Sequence, residues 1–161
     1  GIVFQDSKLL AGRTVFENVA FVLRVLGTAR RDITPKAFAA LKAVGLSARA
    51  QAFPHQLSQG EAQRASLARA IVKSPGLLLA DEPTGNLDSA TGQPIMALLF
   101  DVNRHRQTTL LLVTHDRVLA ARAEVLPNAW EDGMSGPLPV VVCGEFAHYA
   151  VSRAVATYHG Q

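Results

Sequence analysis

The sequence predicts an α/β fold with a parallel sheet, and three patterns carry that prediction. Leu77-Leu78-Leu79-Ala80 is an apolar run that fits a strand buried on both faces, and it stops abruptly at Asp81-Glu82. Thr108 to Val113 is a second β-rich run, ending at Thr114-His115-Asp116. Between the two, Ile95, Leu98, Leu99 and Val102 fall at helical spacing. Strand, helix and strand with polar residues at the strand ends is the pattern of a parallel βαβ unit. Acids at the carboxyl end of such a strand stand where α/β sheets bind ligands, although a core strand ending in a solvated Asp-Glu turn has the same local sequence.

A chain of 161 residues suits one main domain, and 48% hydrophobic with 18% charged residues suits a packed core and argues against disorder over most of the length. No apolar run approaches the roughly 18 to 20 residues that span a bilayer. Membrane association is therefore expected only through a partner. The net charge of +3 is modest, with basic residues scattered among acids, so nothing supports nucleic-acid binding. The lone Cys143 cannot form an internal disulfide, and Gly1-Ile2-Val3-Phe4 does not open a leader, which together suggest a cytosolic setting. The chain begins without Met inside an apolar run and is expected to be the later part of a longer protein.

In chain order, Gly1 to Phe4 reads as a short strand followed by a loop from Gln5-Asp6 through Gly12. Thr14 is a plausible N-cap with Glu17 completing a capping box, and Val15, Val19, Leu23 and Leu26 make an apolar stripe that Gly27 ends. A second helix is expected from about Thr34-Pro35, with Phe38, Leu41 and Val44 on one face and Gly45 as its C-terminal cap. Leu57-Ser58-Gln59-Gly60-Glu61 opens a third helix striped by Ala65, Ala68, Ile71 and Val72, and Lys73 to Gly76 ends it. After the central strand a helix is expected to start near Pro94, because proline is tolerated in a first turn. Val118 to Ala123 reads as a short helix, Glu124 to Trp130 as an imperfect strand and Glu131-Asp132-Gly133 as a turn. For Ser135 to Gln161, with its apolar run Val140 to Cys143, an extra strand and helix or a loosely ordered tail both remain open.

Five segments in this order resemble the ATP-binding subunits of ABC transporters. Val3-Phe4-Gln5-Asp6 is similar to the Q-loop, and Leu57 to Glu61 with Gln63-Arg64 to the signature motif. Leu77 to Glu82 is similar to the Walker B strand, Gly85-Asn86-Leu87-Asp88 to the D-loop, and Thr114-His115-Asp116 to the switch histidine. The resemblance implies a partial P-loop NTPase domain over 1–134, with a helical signature subdomain at about 14–74, a parallel-sheet catalytic part and a C-terminal extension at 135–161. Within the family, Phe4 to Leu10, Arg13 to Ala20 and Ala80 to Asp88 most resemble the FtsE-like cell-division branch. The ATPases of lipoprotein-release and macrolide-export systems share the stretch from Ala80 to Asp88.

The resemblance also implies roles, with ATP and Mg²⁺ as cofactors. Asp81 would hold Mg²⁺ through water, Glu82 would be the catalytic base, and Gln5 would reach both the metal and the attacking water. His115 would contact the terminal phosphate. Ser58, Gln59, Gly60 and Glu61 would grip ATP bound to the other subunit of a homodimer, where a helix N-terminus offers free N–H groups, and Asp88 would cross the same interface. An FtsX-like integral membrane protein would be the partner, placing the ATPase peripherally on the cytoplasmic face of the bacterial plasma membrane.

Two departures stand out. Gln59 replaces the first glycine of the usual signature pair, adding a side chain where backbone approaches phosphate, and Glu61 stands where many relatives have Gln. No Gly-x-x-x-x-Gly-Lys-Ser/Thr occurs, nor any Gly-Lys pair, so the Walker A portion is missing from these residues. The chain alone is accordingly expected to be inactive, and a non-catalytic interaction module is the competing interpretation. A chromosome-structure or DNA-repair ATPase is disfavoured, because no sustained heptads lie between Gln5 and Ser58.

Overall fold

The computed structural model describes residues 1–106, 108–114 and 139–143. Its elements run β1 (Ile2–Val3), α1 (Val15–Val25), α2 (Arg30–Ala43), α3 (Gln59–Ile71), β2 (Leu77–Asp81), α4 (Ser89–Arg106), β3 (Thr109–Thr114) and β4 (Pro139–Cys143). The described strands form one parallel sheet in the order β1-β2-β3-β4. Register pairs Val3 with Ala80, Asp81 with Val113 and Thr114 with Cys143. The run Val140 to Cys143 is thus a strand, placed beside β3 in the sheet.

Helix boundaries follow local chemistry. Thr14 and Ser58 each close a capping box, with Glu17 and Glu61 as the third helical residues of α1 and α3. At the other ends, Gly27 and Gly45 take φ of 69° and 70°, and each closing loop forms the paired bonds of a Schellman motif. Thr28 N–H donates to the Leu23 carbonyl and Leu46 N–H to that of Leu41, both at 2.9 Å.

Two expected starts are corrected. α2 begins at Arg30, not near Thr34-Pro35, and α4 begins at Ser89, not near Pro94, so both prolines lie inside their helices. A proline so close to a helix start forgoes one backbone bond, here to the carbonyl four residues back, and the preceding turn still forms. Leu26 is also outside the apolar stripe: it caps α1 and is exposed.

The core joins Val15, Val19 and Leu23 of α1, Leu41 of α2, Leu67 and Ile71 of α3, and Leu99 of α4 to Val3, Leu78, Leu110 and Leu112 of the sheet. β2 was expected to be buried on both faces. Instead, Leu78 and Ala80 enter this core while Leu77 and Leu79, pointing the opposite way, are half-buried. α3 is central, touching α1, α2, α4 and β1. That position lets one helix hold both the helical layer and the loop after β1.

Candidate functional site

Parallel pairing brings the carboxyl ends of β1, β2 and β3 to one edge of the sheet. Gln5 follows β1, Asp81 ends β2 with its side chain exposed, and Thr114 ends β3. His115 lies outside the described residues. Glu82 adopts φ of 44°, a left-handed conformation that costs an L-residue roughly 1–2 kcal/mol. Backbone bonds hold it there: its N–H donates to the Val113 carbonyl at 2.9 Å, and its carbonyl accepts from Gly85 N–H at 3.0 Å. The strand therefore breaks sharply after Asp81, and the next residues turn back across the sheet edge.

That turn meets the loop after β1. Gln5 Nε2 donates to Asn86 Oδ1 at 3.1 Å, and Asn86 Nδ2 donates to the Gln5 carbonyl at 3.5 Å. Gly85 lies directly against the Gln5 amide, since a side-chain carbon on it would come within 2.7 Å of Gln5 Nε2. With Nε2 engaged by Asn86, Gln5 Oε1 is the remaining oxygen of a side chain that lies against Gly85 and Asn86. Exposed carboxylate and amide oxygens suit Mg²⁺, a hard ion that keeps much of its water and accepts one or two protein ligands. Among the described residues no cluster of three or more His, Cys, Asp or Glu forms a preassembled metal cage.

The loop from Gln5 onward is fixed from two sides. From α3, Gln63 Nε2 donates to the Phe4 carbonyl at 2.7 Å, and Arg69 donates to the carbonyls of Ser7 at 2.7 Å and Lys8 at 2.6 Å. These bonds secure the left-handed backbone of Ser7 and Lys8. From α1, the fully buried Asn18 accepts from Leu10 N–H at 2.7 Å and donates to the carbonyls of Leu10, Arg13 and Thr14.

At the start of α3, Ser58 Oγ accepts from Glu61 N–H at 3.2 Å and Glu61 Oε2 accepts from Ser58 N–H at 2.9 Å. Arg49 Nε reaches Glu61 Oε1 at 3.1 Å. The Ser58 backbone bond, followed by Arg49, holds the Glu61 carboxyl below its ordinary pKa. Glu61 is thus the capping-box partner of Ser58, while Gln59 is exposed and Gly60 buried. Asp88 sits one residue before α4, where its carboxylate accepts from Thr91 N–H at 3.0 Å and Thr91 Oγ1 at 2.8 Å. The Thr91 backbone bond, first among several, lowers the Asp88 pKa.

The structure gathers part of the predicted set. Gln5, Gln59, Gln63, Asn86 and Leu87 line one open groove of about 220 Å³. No hydrogen bond or ion pair joins Ser58, Gln59 or Glu61 to Gln5, Asp81 or Asp88 among the described residues. Sequence reasoning placed Gln63 and Asn86 within the signature and D-loop motifs without a role of their own, and did not single out Asn18, Arg69 or Thr91. The available signal was polar side chains interrupting apolar stripes, as Asn18 does between Val15 and Val19.

Comparison with known proteins gives the family. A family model described as ABC transporter matches residues 1–85, more than half the chain. The chain belongs to the ABC transporter family. Within that family, the cell division ATP-binding protein FtsE of Bacillus subtilis is 46% identical over 134 residues, covering 83% of this chain and 58% of that protein. FtsE of Escherichia coli is 47% identical over 133 residues, covering 83% and 60%. The lipoprotein-releasing system ATP-binding protein LolD of Treponema denticola is 44% identical over 125 residues, covering 78% and 55%. This ABC chain therefore spans little more than half the length of these relatives. It also resembles a dimeric post-hydrolysis state of the ATP-binding cassette MJ0796 bound to ADP and Pi. That match has a TM-score of 0.63 and 38% identity, covering 74% of this chain and 53% of that one. The α/β class and the partial ABC ATPase architecture expected from sequence agree with the match. No described helix is long and apolar enough to cross a membrane.

Proposed function

We propose that the full-length protein is an FtsE-like ABC ATPase that hydrolyses ATP as a homodimer and passes the closure of that dimer to an FtsX-like integral membrane protein at the cytoplasmic face of the plasma membrane. The observation that carries this reading is the convergence of Gln5, Asp81-Glu82 and the Gly85–Asp88 turn at one sheet edge, with Gln5 hydrogen-bonded to Asn86.

In this reading ATP lies against the sheet edge. Asp81, through water, and Gln5 Oε1 would hold the Mg²⁺, which would neutralise charge on the phosphate oxygens. Glu82 accepts a proton from the water whose oxygen attacks the terminal phosphorus, as the bond to the leaving diphosphate oxygen breaks. His115 contacts that terminal phosphate. Ser58 and the first-turn N–H groups of Gln59 and Gly60 face the nucleotide of the other subunit, with the positive end of the α3 dipole behind them. Glu61 fixes the turn through its bonds to Ser58, and Asp88 lies on the same interface.

The test is phosphate release and size-exclusion chromatography of full-length protein with ATP and Mg²⁺. Glu82→Gln keeps side-chain size but loses the base, so turnover should fall on the order of 10²- to 10⁴-fold while ATP-bound dimer accumulates. Asp81→Asn should give little trapped dimer. A Glu82→Gln protein that stays monomeric and hydrolyses ATP at the normal rate would refute the reading.

A further inference from the structure

Gly60, the second residue of α3, is buried against the start of α4. A side-chain carbon on Gly60 would lie 2.5 Å from the Thr91 Cγ2 methyl, far inside van der Waals contact. On the same Thr91 side chain, Oγ1 donates to Asp88 Oδ2 at 2.8 Å. One threonine therefore touches the signature turn with its methyl group and holds the D-loop carboxylate with its hydroxyl. β-Branching restricts χ1, so the side chain cannot swing away from Gly60 without giving up Asp88.

We propose that Thr91 is a positioning residue that sets the spacing between the signature turn and Asp88, and that position 60 is glycine because the Thr91 methyl occupies the space a side chain would need. This rests on the dimeric ATPase reading and adds to it a constraint within one subunit. A glycine required only for backbone approach to phosphate would be indifferent to the residue at 91.

The experiment measures kcat and KM for ATP, together with urea unfolding, in full-length wild type, Gly60→Ala, Thr91→Ser, Thr91→Val and the Gly60→Ala/Thr91→Ser double variant. Gly60→Ala should lower kcat on the order of tenfold by displacing the turn. The double variant should recover most of that loss, because serine keeps the hydroxyl on Asp88 and removes the obstructing methyl. Thr91→Val keeps the methyl, loses the hydroxyl and should lower kcat on the order of tenfold with little change in KM. Failure of Thr91→Ser to relieve Gly60→Ala, or normal kcat in Thr91→Val, would overturn the proposal. If wild type does not turn over ATP, the ATPase reading fails and the unfolding cycle decides. Non-additive Gly60→Ala and Thr91→Ser effects then support the spacing role, and additive effects reject it.

Discussion

The Gln5 side-chain amide is held by Asn86, donating from Nε2 to Oδ1 at 3.1 Å across the edge of the sheet. The loop after β1 and the turn after β2 thereby share a bond, which fixes the orientation of the Gln5 amide. Asn86→Ala should remove this orientation and slow ATP hydrolysis by the full-length protein about three- to tenfold, near the value of one net hydrogen bond. Gly85→Ala should act in the same direction, since its side-chain carbon would press on Gln5 Nε2. Steady-state phosphate release checks both.

The 161-residue chain by itself should not bind ATP measurably, because no Gly-Lys pair is present to cradle the phosphates. Titration with a fluorescent ATP analogue in Mg²⁺ measures this directly. Micromolar binding that disappears in Asp81→Ala would contradict it.

Arg69 should matter more to stability than an ordinary helix arginine. Its guanidinium supplies two carbonyls, of Ser7 and Lys8, at 2.7 and 2.6 Å. Arg69→Met strands both and should cost about 1–3 kcal/mol, whereas Arg69→Lys, lacking the fork, should recover only part. Urea denaturation gives the cost, and limited proteolysis should show earlier cleavage near Lys8.

Acid should weaken the fold through its capping carboxylates. Glu17, Glu61 and Asp88 all have lowered folded pKa values, each caused first by a backbone N–H bond, from Thr14, Ser58 and Thr91 respectively. The folded state therefore binds fewer protons than the unfolded state near these values. Their stabilisation is fully present above the ordinary carboxylate range of about 4 and is lost as pH falls through the lowered folded values. Urea midpoints should hold steady from pH 7 to about 5 and drop below, with a shallower drop in Glu61→Gln.

In the proposed FtsE-like assembly, the membrane partner should dock against the region from Gln5 through α1 and on to Arg31. Arg24 and Arg30 line an open groove of about 430 Å³ with Phe16 and Ile33, and Val25 and Leu26 are exposed beside it. Charge reversal at Arg24, Arg30 and Arg31 should weaken co-purification with an FtsX-like protein and leave soluble ATPase activity unchanged. Retained co-purification would place the contact elsewhere.

Strands β2 and β3, the capping boxes of α1 and α3 and the strand-end acids are legible in sequence because each depends on residues close together in the chain. Thr14 with Glu17 and Ser58 with Glu61 are three residues apart, and both boxes form as read. The starts of α2 and α4 are not legible, because Pro35 and Pro94 carry a first-turn signal while a helix tolerates a proline slightly deeper at the loss of one bond. Long-range pairs were not legible. Gln5 with Asn86, Arg69 with Ser7 and Gln63 with Phe4 join residues that no local spacing relates.

α3 carries the signature turn at its first residues and, ten residues on, the arginine that grips Ser7 and Lys8. A helix of these 13 residues is about 20 Å long and resists bending. The Ser7-Lys8 loop and Ser58 are therefore tied to opposite ends of one stiff rod, which α1, α2, α4 and β1 pack around. The distance between the two contacts is thus fixed by helix length, at about 1.5 Å per residue, and not by the loops that join them.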